Sequence, residues 1–199
     1  MELIFATNNQ NKVAEIQHIV PQTIRVISLR EAGIEIEIPE PHDTLEANAT
    51  EKSTTINRLT GKNCFSEDTG LEVYALNGAP GVKSARYAGE PVDFERNIRL
   101  LLKEMENIQE RRARFRTVIS LQLNGEEHLF EGSCEGTITA SPRGTNGFGY
   151  DPVFVPDGAD RSFGEMSMDE KKVYSHRRKA TDQLVSFLER KVTKKTQEE

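Results

Sequence analysis

Apolar residues open the chain as a short run, Leu3-Ile4-Phe5-Ala6, which gives way to the polar stretch Thr7-Asn8-Asn9-Gln10-Asn11-Lys12. Val13, Ile16 and Ile19 or Val20 then recur at the spacing of a helix face. This pattern predicts a strand, a polar loop and a helix from the first residues onward. Ile24 to Leu29 predicts a second strand. Over Glu31 to Glu40, the residues Ile34, Ile36 and Ile38 alternate with Glu35 and Glu37, which predicts an edge strand stopped by Pro39 and Pro41. Asp43-Thr44-Leu45-Glu46 has the spacing of a capping box with Asp43 at the N-cap. The helix it opens carries Leu45, Ala49, Ile56 and Leu59 inward and ends before Gly61.

Cys64 and Phe65 before, and Leu71 and Val73 after, frame Ser66-Glu67-Asp68-Thr69-Gly70, a strand end expected to break at Gly70. Asn77 to Gly89 is rich in Gly and Pro, so it needs special backbone angles or close approach by a ligand, and it can present Ser84 and Arg86. Asp93 caps a predicted helix with the stripe Phe94, Ile98, Leu101, Leu102 and Met105, and Glu104 to Arg112 reads as its charged, solvated end. Ala113 to Leu123 alternates as a strand, and Asn124-Gly125 is a strong hairpin signal. The returning strand runs through His128-Leu129-Phe130, with His128 exposed, and a third strand follows from Cys134 to Ala140. A second glycine-dense loop, Gly144 to Pro152, feeds the strand Val153-Phe154-Val155. Ser167 and Glu170 repeat the capping-box spacing ahead of a final amphipathic helix through Ala180, Leu184, Phe187 and Leu188. The tail from Thr193 to Glu199 is expected to fray. Strands alternating with helices, interrupted by a hairpin region, predict an α/β fold with a mixed sheet. No internal repeat interrupts it.

Composition narrows the class. The 199 residues suffice for one domain or two small lobes sharing a core. Charged residues at 29% and hydrophobic residues at 36% describe a globular chain, with no apolar run of membrane-spanning length. The N-terminus is polar by Thr7 and does not read as a signal peptide. Cys64 and Cys134 form no metal spacing, and reduced cytosolic thiols are expected rather than a single disulfide. A net charge of −6 argues against a nonspecific nucleic-acid or membrane binder. The Walker, HExxH and serine-elbow signatures of common hydrolases are absent.

Four places then carry candidate chemistry. Glu67 and Asp68 are adjacent carboxylates flanked by hydroxyls, an arrangement that favours a cation or is an ordinary N-capped turn. The loop Thr7 to Lys12 offers backbone N–H groups and a lysine to an anion, or is an Asn-rich cap with a solvated lysine. Asn48 and Lys52 share a helix face, as a site or as a solvent-facing pair. Phe148 and Tyr150 stand among glycines and can flank a planar base, with Asp151 available to hydrogen-bond it.

Taken in series, these motifs resemble the inosine triphosphate pyrophosphatase family, the XTP/dITP diphosphatases. The likeness runs from Phe5 to about Ala180 through Thr7 to Lys12 with Glu15, Thr44-Leu45 with Asn48-Ala49 and Lys52, and Glu67-Asp68-Thr69-Gly70-Leu71. It continues through Gly78 to Val82 with Ser84 to Tyr87, then Gly147 to Pro152, and ends at Ser175-His176-Arg177. One departure is Ala47, where many members carry Glu; Lys52-Ser53 replaces Lys-Ala.

The resemblance implies a single pyrophosphatase domain over 1–199, an elongated mixed sheet flanked by helices, with two lobes and a central active-site cleft. It implies a cytoplasmic homodimer that hydrolyses ITP, dITP or XTP to the monophosphate and pyrophosphate with Mg²⁺, clearing deaminated purines from the nucleotide pool. Asp68 would accept the proton of the attacking water and ligate metal with Glu40 and Glu67. Thr7, Asn8, Asn9, Gln10, Asn11, Lys12, Lys52 and Thr69 would bind substrate, with Ser84 and Arg86 presented from their loop. Phe148, Gly149, Tyr150, Asp151, Lys171, His176 and Arg177 would recognise base and sugar. The rival readings are a related pyrophosphatase clearing modified pyrimidines and a catalytically silent nucleotide-binding module. A nucleic-acid binder is disfavoured by the charge.

Overall fold

The structure is a computed structural model that describes residues 1–197, with side chains through residue 191. Among the described residues seven strands form one mixed sheet: β1 (Glu2–Phe5), β2 (Arg25–Ser28), β3 (Cys64–Val73), β4 (Pro80–Gly81), β5 (Arg112–Leu123), β6 (Glu126–Ile138) and β7 (Phe154–Pro156). The order is β2-β1-β3-β5-β6-β7, with β4 paired to β3. β1 runs parallel to β2 and β3, whereas β4 on β3 and β7 on β6 are antiparallel. Among the described residues five α-helices accompany them: α1 (Gln10–Ile19), α2 (Leu45–Thr60), α3 (Phe94–Glu104), α4 (Met168–Tyr174) and α5 (His176–Gln197). This is the α/β mixed sheet that the alternation of patterns predicts. No described helix is long and apolar enough to cross a membrane. The expected fraying over 193–199 falls on residues whose side chains, or at 198 and 199 whose whole structure, lie outside the described residues.

The chain divides into two compact units. The first comprises Met1–Asp68, Val118–Gly132 and the residues from Arg177 onward; the second comprises Thr69–Thr117 and Ser133–His176. β3, β5 and β6 contribute residues to both.

In the first unit, alternate residues of β1 enter different clusters, as the two-residue period of a strand requires. Leu3 and Phe5 join Val13, Ile16, Phe65, Ile119 and Leu184, and the Phe5 and Phe65 rings stack 4.5 Å apart. Ile4 and Ala6 join Leu29, Ile56 and Cys64. A strand buried on both faces explains the uninterrupted apolar run at the start of the chain. Residues 34–41 form no strand, contrary to expectation. Ile34, Ile36 and Ile38 still alternate inward, packing on the Ile4 cluster, so the period reports burial without sheet pairing. α2 begins one residue later than the capping pattern suggests: Thr44 is the N-cap and its hydroxyl accepts the Ala47 N–H at 3.2 Å. Leu59, expected inward, is 59% exposed. β5 and β6 are joined at Asn124 and Gly125, whose φ values of 53° and 85° suit the tight hairpin predicted there.

In the second unit, Leu71, Ile98, Leu101, Met105, Phe115, Phe154 and Phe163 share a core. α3 is capped as expected by Asp93, whose Oδ1 accepts the Arg96 N–H at 2.9 Å. Arg111 is not a solvated charge at the end of that helix: its guanidinium donates to the carbonyls of Met105, Ile138 and Thr139. Gly70 does not break β3; a Cβ there would lie 2.6 Å from the Gly81 carbonyl, so glycine permits the approach of β4. The two short strands expected after the hairpin are one strand, β6. His128 is half-buried against the Phe187 ring at 4.4 Å, rather than exposed. Cys64 and Cys134 are free and buried, and burial pushes the Cys64 thiol up to about 12.

Candidate active site

Because β3 is continuous through its acidic pair, Glu67 and Asp68 leave the strand in opposite directions and enter networks with different nearest partners. Both networks lie in the first unit.

Asp68 belongs with Lys52, Glu40 and Asn48. Lys52 Nζ lies 3.1 Å from Asp68 Oδ1 and also donates to Glu40 Oε1. Asn48 Nδ2 approaches Asp68 Oδ2 at 3.4 Å. On α2, Leu45, Asn48, Ala49, Lys52 and Ile56 occupy one buried face, so Asn48 and Lys52 are not the solvent-facing pair. Two carboxylates share one ammonium. Burial pushes the Asp68 carboxyl above its ordinary value; Lys52 and Lys12 oppose this, and Glu40 adds to it. Burial alone would lower the Lys52 ammonium, but Asp68 and Glu40 outweigh it and raise it.

Glu67 is held differently. Arg177 donates to its two oxygens through Nε at 2.7 Å and Nη2 at 3.0 Å, and Lys12 Nζ lies 3.1 Å from Oε1. Arg177 Nη1 donates to Glu15, whose residue is 8% exposed. Burial by itself would raise the Glu67 carboxyl, but Arg177 and then Lys12 hold it far below the usual carboxylate range. Arg177 and Lys12 thus both face Glu67, and Arg177 also faces Glu15. Lys12 is not a solvated lysine, and the guanidinium of Arg177, 1% exposed, donates to the carboxylates of Glu67 and Glu15.

The loop ahead of α1 is organised from within. Asn9 caps the helix, its Oδ1 accepting the N–H groups of Asn11 at 3.0 Å and Lys12 at 3.2 Å. Thr7 Oγ1 accepts the Asn9 N–H at 3.2 Å, Gln10 Nε2 donates to the Asn8 carbonyl at 3.4 Å, and Asn8 Nδ2 donates to the Ile36 carbonyl at 2.9 Å. Several N–H groups expected to face an anion therefore already have partners in the loop.

The second unit gathers the remaining candidates. Asp151 Oδ2 accepts from Lys171 Nζ at 2.7 Å and from the Phe148 N–H at 2.9 Å, so Asp151 fixes its own loop. Gly147, at φ +74°, leaves the space that a Cβ would take from that carboxylate. Lys171 Nζ stands 5.3 Å from the Phe148 ring centroid. Gly149 lies between at φ 63°, and the buried Tyr150 hydroxyl donates to the Ser84 carbonyl at 2.8 Å. Ser84 is not presented outward: its hydroxyl donates to the Gly81 carbonyl at 2.6 Å and accepts the Leu71 N–H at 2.9 Å. Arg86, two residues on, is partly exposed beside Glu90. Thr69 pairs with Thr117 through hydroxyls 2.7 Å apart. His176 is 2% exposed and stacked on Phe115 at 4.7 Å.

Two residues carry more than their sequence suggests. Asn97 accepts the Ala88 N–H at 2.7 Å and donates to the Ala85 carbonyl at 2.9 Å, shaping the loop of Arg86. Asn48 does comparable work beside Asp68. The signal for both was a polar residue at a core position of an apolar helix stripe.

Among the described residues, no group of three or more His, Cys, Asp or Glu side chains is placed to hold a metal. Glu40 and Asp68 nonetheless converge on one cation position, which the Lys52 ammonium takes. A pair of hard oxygen donors suits Mg²⁺, which commonly takes one or two protein carboxylates together with substrate phosphates. Glu67, also expected as a metal ligand, has both oxygens accepting from cationic side chains.

Comparison with known proteins agrees along nearly the whole length. The profile of the Ham1 family matches residues 3–187. A dITP/XTP pyrophosphatase of Porphyromonas gingivalis is 49% identical over 188 residues, covering 94% of this chain and 97% of that protein. Its counterpart in Flavobacterium johnsoniae is 47% identical over 188 residues, covering 94% and 98%. The solved structure of the Staphylococcus aureus Ham1 protein superposes with a TM-score of 0.87 at 40% identity, covering 96% of this chain and 100% of that one. This chain belongs to the Ham1 family.

Proposed function

We propose that the protein hydrolyses nucleoside triphosphates of deaminated purines (ITP, dITP and XTP) to the monophosphate and pyrophosphate, with Mg²⁺. The observation that carries this reading is the Glu40–Lys52–Asp68 cluster, with Lys52 and Asp68 buried, in a chain whose relatives are named dITP/XTP pyrophosphatases. Asp68 is the base. Its buried carboxyl, raised above the ordinary range, is a better proton acceptor than an exposed aspartate. The water oxygen bonds to phosphorus, its proton goes to Asp68, and the bridge between the α and β phosphates breaks so that pyrophosphate leaves. Mg²⁺ held by Glu40 and Asp68 would supply charge that screens the triphosphate from the nucleophile.

Lys12 and Lys52 provide the protein's own positive charge at the phosphates, with Thr7 to Asn11 shaping the approach. Glu67 and Arg177 hold Lys12 in place and have no direct contact with substrate in this reading. Phe148 offers a ring to the base, and Lys171 and His176 offer donors; Thr69 and Arg86 are further polar contacts. A donor to the 6-oxo group of hypoxanthine or xanthine loses its partner when adenine presents an amino group, and a site built on such a bond rejects the wrong group strongly. A homodimer in the cytoplasm completes the proposal.

The test is an end-point assay of the purified protein with Mg²⁺ against ITP, XTP, dITP, ATP and GTP, separating pyrophosphate from orthophosphate. Pyrophosphate released chiefly from the hypoxanthine and xanthine nucleotides is the expected result. Orthophosphate, or equal turnover of ATP and GTP, overturns the assignment.

A further inference from the structure

The backbone of residues 34–42 pairs with no strand, yet it delivers Glu40 to the buried Lys52 ammonium. Apolar packing of Ile34, Ile36 and Ile38 accounts for the first half of the segment. Two asparagine side chains account for its placement beyond that. Asn48, 1% exposed, accepts the His42 N–H at its Oδ1 and donates from Nδ2 to the His42 carbonyl, both at 3.0 Å. Exchanging two hydrogen bonds with one residue is what a neighbouring strand does in an antiparallel ladder. A single side chain here substitutes for the missing strand. Its Nδ2 also lies 3.4 Å from Asp68 Oδ2, so one amide refers the Glu40 segment to the carboxylate with which Glu40 shares Lys52. At the other end, Asn8 Nδ2 donates to the Ile36 carbonyl at 2.9 Å.

We infer that Asn48 and Asn8 are positioning residues that clamp residues 36–42 and thereby set the placement of Glu40 relative to Asp68. This rests on the proposed hydrolysis, and it reassigns Asn8 from the substrate to the segment. Glu40 stands between Pro39 and Pro41, which removes two backbone N–H groups that a ladder would have used. The clamp therefore has to come from side chains. Asn8 is exposed, so its loss leaves the core intact; Asn48 is buried, and its loss leaves the His42 N–H and carbonyl without their partners.

The experiment compares Asn48→Leu and Asn8→Ala with the wild type by amide hydrogen exchange across residues 34–42 and by steady-state dITP hydrolysis. Asn48→Leu should speed exchange at His42 by about tenfold, the factor for one lost hydrogen bond. It should lower kcat by about tenfold or more while KM stays within about threefold, the signature of misplaced groups rather than lost substrate contacts. Asn8→Ala should speed exchange near Ile36 and lower kcat in the same sense, and it carries the test alone should Asn48→Leu fail to fold. Unchanged exchange in the variants overturns the clamp. A raised KM with kcat and exchange intact in Asn8→Ala makes Asn8 a substrate ligand and also overturns it. Wild-type protein that releases no pyrophosphate overturns the functional reading and the catalytic half of this one, while the exchange result decides the clamp by itself.

Discussion

Arg177 grips Glu67 through two N–H···O bonds, 2.7 Å from Nε and 3.0 Å from Nη2, with both side chains almost fully buried. Residues 110 positions apart in sequence thereby neutralise each other inside the first unit. Replacing Arg177 with Met should cost about 3–5 kcal/mol, because Glu67 and Glu15 are left as buried, undercompensated carboxylates. Denaturant unfolding at neutral pH measures it; a loss under about 1 kcal/mol would mean the triad is dispensable for the fold.

Glu67 also makes a prediction about acid. Its folded-state value is depressed, so its contribution to stability is fully present above the ordinary carboxylate value near 4.5 and is lost as pH falls below it. Asp68, whose value is raised, works in the opposite sense, so the comparison must isolate Glu67. The difference in unfolding free energy between wild type and Glu67→Gln should be flat above the ordinary value and shrink progressively below it. A difference that does not change with pH would show that Glu67 gains nothing from its ionised form.

Asp68→Asn keeps the shape of the side chain and removes its ability to accept a proton. Turnover of dITP should fall by about 10²–10⁴ in kcat, with nucleotide binding still measurable by calorimetry. Rates near those of the wild type would take Asp68 out of the chemistry.

Lys52→Met leaves Glu40 and Asp68 without the ammonium they share. In EDTA the variant should lose about 3–5 kcal/mol of stability, as expected when one partner of a buried ion cluster is removed. Mg²⁺ should restore part of the melting temperature, and more than it raises that of the wild type, since it offers the carboxylates a replacement cation. No metal dependence of the melting temperature in this variant would argue that the pair does not accept Mg²⁺.

Gly147→Ala sets a Cβ against Asp151 Oδ2 at a φ of +74°. The carboxylate must move, and with it the anchor of Phe148 and Lys171. A loss of about 1–3 kcal/mol is expected from the strained backbone, with a further rise in KM for dITP. An unaltered KM would separate this loop from substrate recognition.

Much was legible in one dimension because it depends on local periodicity and local chemistry. The apolar run of β1, the hairpin at Asn124-Gly125, the Asp93 cap and the Ser167–Glu170 capping box are each set by residues within a few positions of one another. The series of motifs likewise pointed to the family that the comparisons bear out. Failures came where a local pattern had more than one three-dimensional solution. The isoleucine alternation of 34–38 serves a packed segment as well as a strand, and Gly70 accommodates β4 as readily as it would end β3. Thr44 displaced Asp43 as cap because both can accept the same kind of bond one residue apart.

The sequence by itself determined which residue types this protein brings to its chemistry: buried-capable carboxylates, a few lysines, glycine-dense loops and a Ser-His-Arg helix start. Only the tertiary structure decided which of them meet. Lys12 comes to Glu67, Lys52 to both Glu40 and Asp68, and Arg177 to both Glu67 and Glu15. The reason is physical. A charge cannot be buried without its counter-charge, and which counter-charge is within reach depends on how strands and helices distant in sequence are packed, not on the residues beside it in the chain.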